Sequence, residues 1–132
     1  CAIGLGSEKA SKSIFVLDGD DRSYPWKGGW PPPKDFGNYG KSLGVDSFPF
    51  TSRVGSFPPA TNGLHDLSGN VWEWCEDKYD PAKPERVVRG GSFFETSQEH
   101  LLSSARQPEK ESQRLDQIGF RCVLASTGKG TN

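Results

Sequence analysis

Gly63-Leu64-His65-Asp66-Leu67-Ser68-Gly69-Asn70-Val71-Trp72-Glu73-Trp74 holds two carboxylates, two glycines and two tryptophans within twelve positions. Such a composition serves a site set into a turn-rich fold better than a plain structural element. Asp66 and Glu73 offer hard oxygen ligands, and Gly63 and Gly69 allow turns that aim backbone carbonyls inward. Ca²⁺ takes six to eight such oxygens at roughly 2.3–2.6 Å. Zinc fits less well, because His65 and Cys75 stand without a second imidazole or thiolate at short spacing. The plainer alternative is that Asp66 only caps a turn, but a cap would not require Gly69 and Glu73 at these spacings.

Working outward, four further stretches line up with this block. They are Tyr24-Pro25-Trp26, Val54-Gly55-Ser56-Phe57-Pro58-Pro59, Arg86-Val87-Val88-Arg89-Gly90-Gly91-Ser92, and Ile118-Gly119-Phe120-Arg121-Cys122. In order and spacing the chain resembles the C-terminal half of a formylglycine-generating-enzyme (sulfatase-modifying factor) domain. The resemblance implies an α+β fold similar to the C-type lectin type, irregular, with short antiparallel strands, long loops and bound Ca²⁺. Carried over residue by residue, it implies one calcium site at the Asp66 side chain with the carbonyls of Leu67, Gly69 and Val71, Glu73 standing near as an acidic residue. It implies a second at the Asp46 carboxylate and the Phe48 carbonyl, with Asn38 and Tyr39 matching its other two positions across a shorter connection.

The same resemblance marks a departure. Family enzymes place a cysteine pair shortly after the Gly-Gly-Ser turn, where soft thiolates hold copper(I) and oxygen is activated to oxidise a substrate cysteine. In this chain the first of those positions is Glu95 and the second falls near His100. Two hard or borderline ligands without a third partner do not make a copper(I) thiolate site. Ser92 matches a serine that lines the family's cleft, yet a serine after Gly-Gly is also an ordinary turn residue. The expectation is therefore a calcium-stabilised binding or accessory module whose contacts centre on the loop from Phe93 to Leu102. Ser92, Phe94, Glu95 and His100 are its candidate ligand-binding residues, and a protein, peptide or glycan is its ligand. The rivals are an enzyme of the family with altered active-site chemistry and a purely structural domain.

Composition agrees with a loop-dominated fold. Hydrophobic residues make up 33% of the 132, or roughly 43% when Gly is counted and Tyr left out, enough for a core. Sixteen Gly and ten Pro argue against long helices. A net charge of −1 gives no electrostatic case for nucleic acid or a membrane surface. No apolar run approaches the length of a membrane span and no signal-peptide pattern opens the chain, so it reads as soluble.

Along the chain, Ser13-Ile14-Phe15-Val16-Leu17 reads as a brief strand and Asp18-Gly19-Asp20-Asp21 as a solvated turn, since an EF-hand would need further acidic positions and flanking helices. Lys27-Gly28-Gly29-Trp30-Pro31-Pro32-Pro33 reads as a surface loop whose Trp30 packs on its prolines. The segment from Asp35 to Phe57 reads as extended rather than helical. Trp72 and Trp74, two apart, would share one face of a strand, and Arg86 to Arg89 reads as another.

Cys1, Cys75 and Cys122 permit at most one disulfide, and Cys122 reads as a buried free thiol. They leave the compartment open, with an extracytoplasmic or secreted setting favoured. Arg106, Arg114 and Arg121 are expected to tie down the late loops. Residues 1–125 are read as the C-terminal part of a domain whose N-terminal half lies on another segment or a partner chain, or as a compact variant whose loops replace that half. Residues 126–132 are read as a flexible tail.

Overall fold

The computed structural model describes residues 22–60 and 62–123. The strand expected at Ser13–Leu17, the acidic turn at Asp18–Asp21 and the tail at Ser126–Asn132 lie outside the described residues.

A four-stranded sheet in the order β3-β2-β1-β4 forms the frame, with β1 at Trp72–Lys78, β2 at Glu85–Arg89, β3 at Gln107–Lys110 and β4 at Ile118–Gly119. β-branched and aromatic side chains fit a half-buried pleated surface, and Val87 and Val88 of β2 are each 1% exposed. β1 and β2 pair antiparallel with Glu73 opposite Arg89 and Trp74 opposite Val88, and the register slips before Lys78 meets Arg86. β3 pairs antiparallel with β2. β4 instead runs parallel to β1, pairing Trp72 with Ile118. The expectation of antiparallel strands thus fails at this edge, because a chain that crosses over from β3 to the far side of β1 arrives in β1's own direction.

Among the described residues the only helical element is a 3-10 turn at Lys41–Leu43, so the β half of the α+β expectation is present and the α half is not. Helix-breaking Gly and Pro are spread through the whole loop region, which accounts for this.

The loops build their own aromatic core. Trp26, Tyr39, Val45 and Leu101 are buried together, with Tyr24, Trp30, Phe36 and Leu43 packed against them. Tyr24 stacks on Trp26 at 4.6 Å between ring centroids, and Trp26 meets Phe36 and Tyr39 edge-on at 5.7 and 6.0 Å. Such pairs contribute about 0.5–1.5 kcal/mol each beyond their buried area, which suits a fold with little regular structure. The indole N–H of Trp26 donates to the Gly29 carbonyl at 3.1 Å, closing the Gly-Gly loop.

Arginines fasten the late loops to the sheet. Arg89 donates to the carbonyls of Ser104 and Ala105 at 3.2 and 3.0 Å, and burial, helped by the neighbouring Arg106, lowers its basicity. Arg106 reaches the Tyr79 carbonyl at 3.2 Å and lies over the Tyr79 ring. Arg114 serves its own turn, donating to the carbonyls of Glu111 and Gln113. Cys75 is buried and disulfide-bonded, while Cys122 is an exposed free thiol. The buried thiol expected at Cys122 is corrected by its position beyond β4, past the part of the chain that the sheet covers.

Candidate functional site

The quoted block forms a tight turn leading into β1. Asp66 and Asn70 hold positive φ of 54° and 64°, and Gly69 holds 78°. Gly69 is also required by space: a Cβ there would sit 2.4 Å from the Asn38 carbonyl oxygen and 2.9 Å from the Tyr39 ring. This close approach joins the two candidate calcium segments. Asn70 N–H donates to the Asn38 carbonyl at 2.7 Å, and the Asn70 carbonyl accepts from Phe93 N–H at 2.9 Å. The Asn70 side chain clasps Ser52, its Oδ1 accepting from Ser52 N–H at 2.9 Å. One asparagine thereby links the block, the 38–52 loop and the loop after β2. The Gly-Asn pair in the sequence was the available signal for this hub.

At the first candidate site, Asp66 Oδ2 accepts from Gly55 N–H at 2.7 Å. The carbonyls of Leu67, Gly69 and Val71 accept none of the described backbone bonds outside the sheet. Glu73, 8% exposed, faces Arg121: Nε donates to Oε2 at 2.6 Å and Nη2 to Oε1. The same guanidinium donates to the carbonyls of His65 and Asp66 at 3.0 and 2.9 Å. Hydrogen bonding to Glu73 holds Arg121 protonated more firmly than usual, opposed by burial. Asp66, Gly69, Val71, Glu73 and Arg121 line a pocket of about 420 Å³ together with Val54 and Phe120. The donor set is all oxygen, as a hard cation requires. With Arg121 on Glu73, the set rests on Asp66 and the three carbonyls.

At the second, both oxygens of Asp46 are aimed by backbone amides, Oδ2 by Tyr39 N–H and Oδ1 by Phe48 N–H, each at 2.9 Å. Asn38 is fully buried, its Nδ2 donating to the Phe50 carbonyl at 2.8 Å, which leaves Oδ1 as a buried acceptor without a partner. Such an acceptor costs about 1–3 kcal/mol unless positive charge reaches it. An oriented carboxylate and an orphaned amide oxygen are the chemistry a calcium ion takes, so these residues fit the group. Among the described residues no three His, Cys, Asp or Glu side chains gather at one point. Carbonyl oxygens would therefore have to supply much of either shell.

Tyr39 sits at the centre of this region with no exposed surface, and its hydroxyl lacks a geometric hydrogen-bond partner, as does the nearby Ser68 hydroxyl. Burial pushes the Tyr39 phenol well above the ordinary 10.0; Ser68 offsets part of that, and the Asp46 charge adds to it. An unfolded tyrosine loses its proton above about pH 10 while native Tyr39 keeps it. Stability is thus intact below that pH and falls as pH rises beyond it, by about 1.4 kcal/mol per pH unit. Tyr39→Phe is expected to flatten this alkaline slope and to leave neutral-pH stability within about 1 kcal/mol of wild type or above it. Urea unfolding from pH 7 to 11 checks it, and parallel slopes for the two proteins would refute it.

The loop after β2 opens with Gly90 and Gly91 at positive φ of 94° and 76°. Ser92 is 1% exposed and its Oγ accepts from Phe94 N–H at 3.3 Å, a turn role that turns it away from solvent. Phe93 is buried and Phe94 is 55% exposed. Glu95 and His100 are brought together, Oε2 lying 3.0 Å from Nδ1.

The family described as "Sulfatase-modifying factor enzyme 1-like domain" matches residues 8–126. The chain belongs to this family. It is 37% identical over 116 residues to the mouse (Mus musculus) protein named "Inactive C-alpha-formylglycine-generating enzyme 2", covering 78% of this chain and 37% of that one. It is 31% identical over 125 residues to the formylglycine-generating enzyme of Thermomonospora curvata, covering 80% of this chain and 39% of that enzyme. Among solved structures, PvdO from Pseudomonas aeruginosa superposes with a TM-score of 0.59 at 31% identity, covering 72% of this chain and 41% of that one. CarF superposes at 0.53 with 27% identity, covering 70% and 34%. The chain spans less than half the length of each of these proteins. Among the described residues no helix is long and apolar enough to cross a membrane.

Proposed function

We propose that this chain is a calcium-stabilised part of a formylglycine-generating-enzyme-like domain of C-type lectin type, acting as a binding or accessory module and not as a cysteine oxidase. The observation that carries the reading is the Glu95–His100 contact: Glu95, which matches the first position of the family's thiolate pair, is tied at 3.0 Å to His100, near which the second falls. A carboxylate and an imidazole do not replace thiolates at copper(I). A relative at 37% identity whose name calls it inactive supports the same reading.

The binding surface is the Phe93–Leu102 loop, where Phe94 is exposed and Gln98 and Glu99 face solvent. Aromatic anchors dominate the energetics of many interfaces, and Phe94 is the one this loop presents. Its ligand is a protein, peptide or glycan. Ca²⁺ is held by Asp46, Asn38 and the carbonyls of Tyr39 and Phe48, and by Asp66 with the carbonyls of Leu67, Gly69 and Val71. It supplies structural charge compensation only. The remainder of the domain comes from a further segment or partner chain, in keeping with the short coverage of the relatives. The Cys75 disulfide supports an oxidising, extracytoplasmic setting.

Peptide and glycan arrays probed with the wild-type chain are expected to give a ligand whose capture is lost in the Phe94→Ala variant, a change at a 55% exposed side chain that leaves Tm nearly unchanged. A sulfatase-motif peptide incubated with the copper-treated protein and oxygen is expected to keep its cysteine mass. Equal capture by variant and wild type moves the surface elsewhere, and aldehyde formation overturns the module reading.

A further inference from the structure

Glu95 and His100 do more than touch. The second carboxylate oxygen, Oε1, accepts from the backbone N–H groups of Thr96 and Ser97 at 3.0 and 2.9 Å, so the carboxylate cannot swing away from the imidazole without giving up both. The Glu95 side chain is also largely buried, only 15% exposed. On the other side, the His100 ring meets the buried Trp72 edge-on at 6.1 Å. The imidazole is therefore gripped by a fixed anion and by an aromatic wall, yet 40% of its side-chain surface stays open.

This arrangement dictates where the proton goes. An ionised carboxylate only accepts hydrogen bonds, so the neutral imidazole must carry its hydrogen on Nδ1, and its other nitrogen, Nε2, is left with a free lone pair. A carboxylate behind a histidine also makes the far nitrogen a better acceptor, as it does for histidines that bind metals or serve as bases. We propose that Glu95 and His100 form a proton-accepting dyad in which His100 Nε2 takes the hydrogen bond of an acidic X–H group, a hydroxyl or thiol, on the ligand. Glu95 is the positioning residue. The ligand class is thus a group that carries such a hydroxyl or thiol donor and reaches the open side of the imidazole. This rests on the reading of the 93–102 loop as the binding surface.

Two measurements on the intact, 15N-labelled chain test it. Long-range 1H–15N correlation at a pH where the imidazoles are neutral is expected to show His100 with hydrogen on Nδ1 and a free Nε2; hydrogen on Nε2 would overturn the proposal without any variant being made. Phenol and anisole, which differ in a single donor, are then titrated separately. Phenol is expected to perturb His100 Nε2 and to bind about fivefold more tightly than anisole, the size of one net hydrogen bond. The preference should vanish in His100→Phe, which keeps an aromatic ring against Trp72. A preference that is absent, or that survives in His100→Phe, rejects the dyad. Array capture that fails while both measurements hold would remove the module reading and leave the dyad standing.

Discussion

Replacing Arg121 by Met is expected to lower the unfolding free energy by about 3 kcal/mol. The figure lies at the low end for a broken buried pair, because the Arg121 and Glu73 side chains keep 24% and 11% of their surface exposed. The loss has two parts. The largely buried Glu73 carboxylate loses the two guanidinium hydrogen bonds of Arg121, and the carbonyls of His65 and Asp66 lose a charged donor. Removing one partner of such a pair costs more than the pair itself contributes, since the other charge stays buried with less to compensate it. Glu73→Gln added to Arg121→Met should therefore recover part of the loss, with a coupling of roughly 0.5–3 kcal/mol.

A further arm separates the arginine from the metal. Arg121 places its positive charge at a carboxylate that the family resemblance sets beside a calcium site, so the two cations compete for one anion. In Arg121→Met, excess Ca²⁺ should restore more stability than it adds to wild type. Chemical denaturation with and without EDTA measures all of these terms. A loss under about 1 kcal/mol for Arg121→Met, the size of an ordinary surface change, would show that the pair is not holding the turn.

Local pattern carried much of this fold and long-range pairing did not. Trp72 with Trp74, and Arg86 to Arg89, read as parts of strands because branched and aromatic side chains cluster there, and they lie in β1 and β2. Gly90-Gly91 read as a turn because only glycine takes positive φ freely, and both residues do so. The Arg121–Glu73 pair joins residues 48 positions apart, and no periodicity links them. The parallel seating of β4 follows from how a loop crosses the sheet, which sequence spacing does not encode. The Glu95–His100 contact spans only five residues, yet as a pair the two read in sequence only as an incomplete set of metal ligands on one loop, because the Thr96 and Ser97 amides that aim Glu95 at His100 leave no mark in side-chain pattern.

Calcium removal is expected to give the second large effect. If the ion binds the native chain and not the unfolded one, a free concentration of 100 times Kd adds about 2.7 kcal/mol, so EDTA should lower Tm by roughly 5–10 °C. Asp46 is the residue to test first, because two backbone amides aim its oxygens and the buried Asn38 Oδ1 in the same segment lacks any other positive partner. Asp46→Asn keeps the shape and removes the charge, and its own destabilisation should match most of the EDTA effect. EDTA should then do little more to that variant. Asp66→Asn should abolish a smaller share, because Arg121 already neutralises Glu73 and a site with fewer free carboxylates binds calcium more weakly. A wild-type Tm that ignores EDTA removes the structural metal altogether. A full EDTA shift in Asp46→Asn together with none in Asp66→Asn would reverse the order of the two sites.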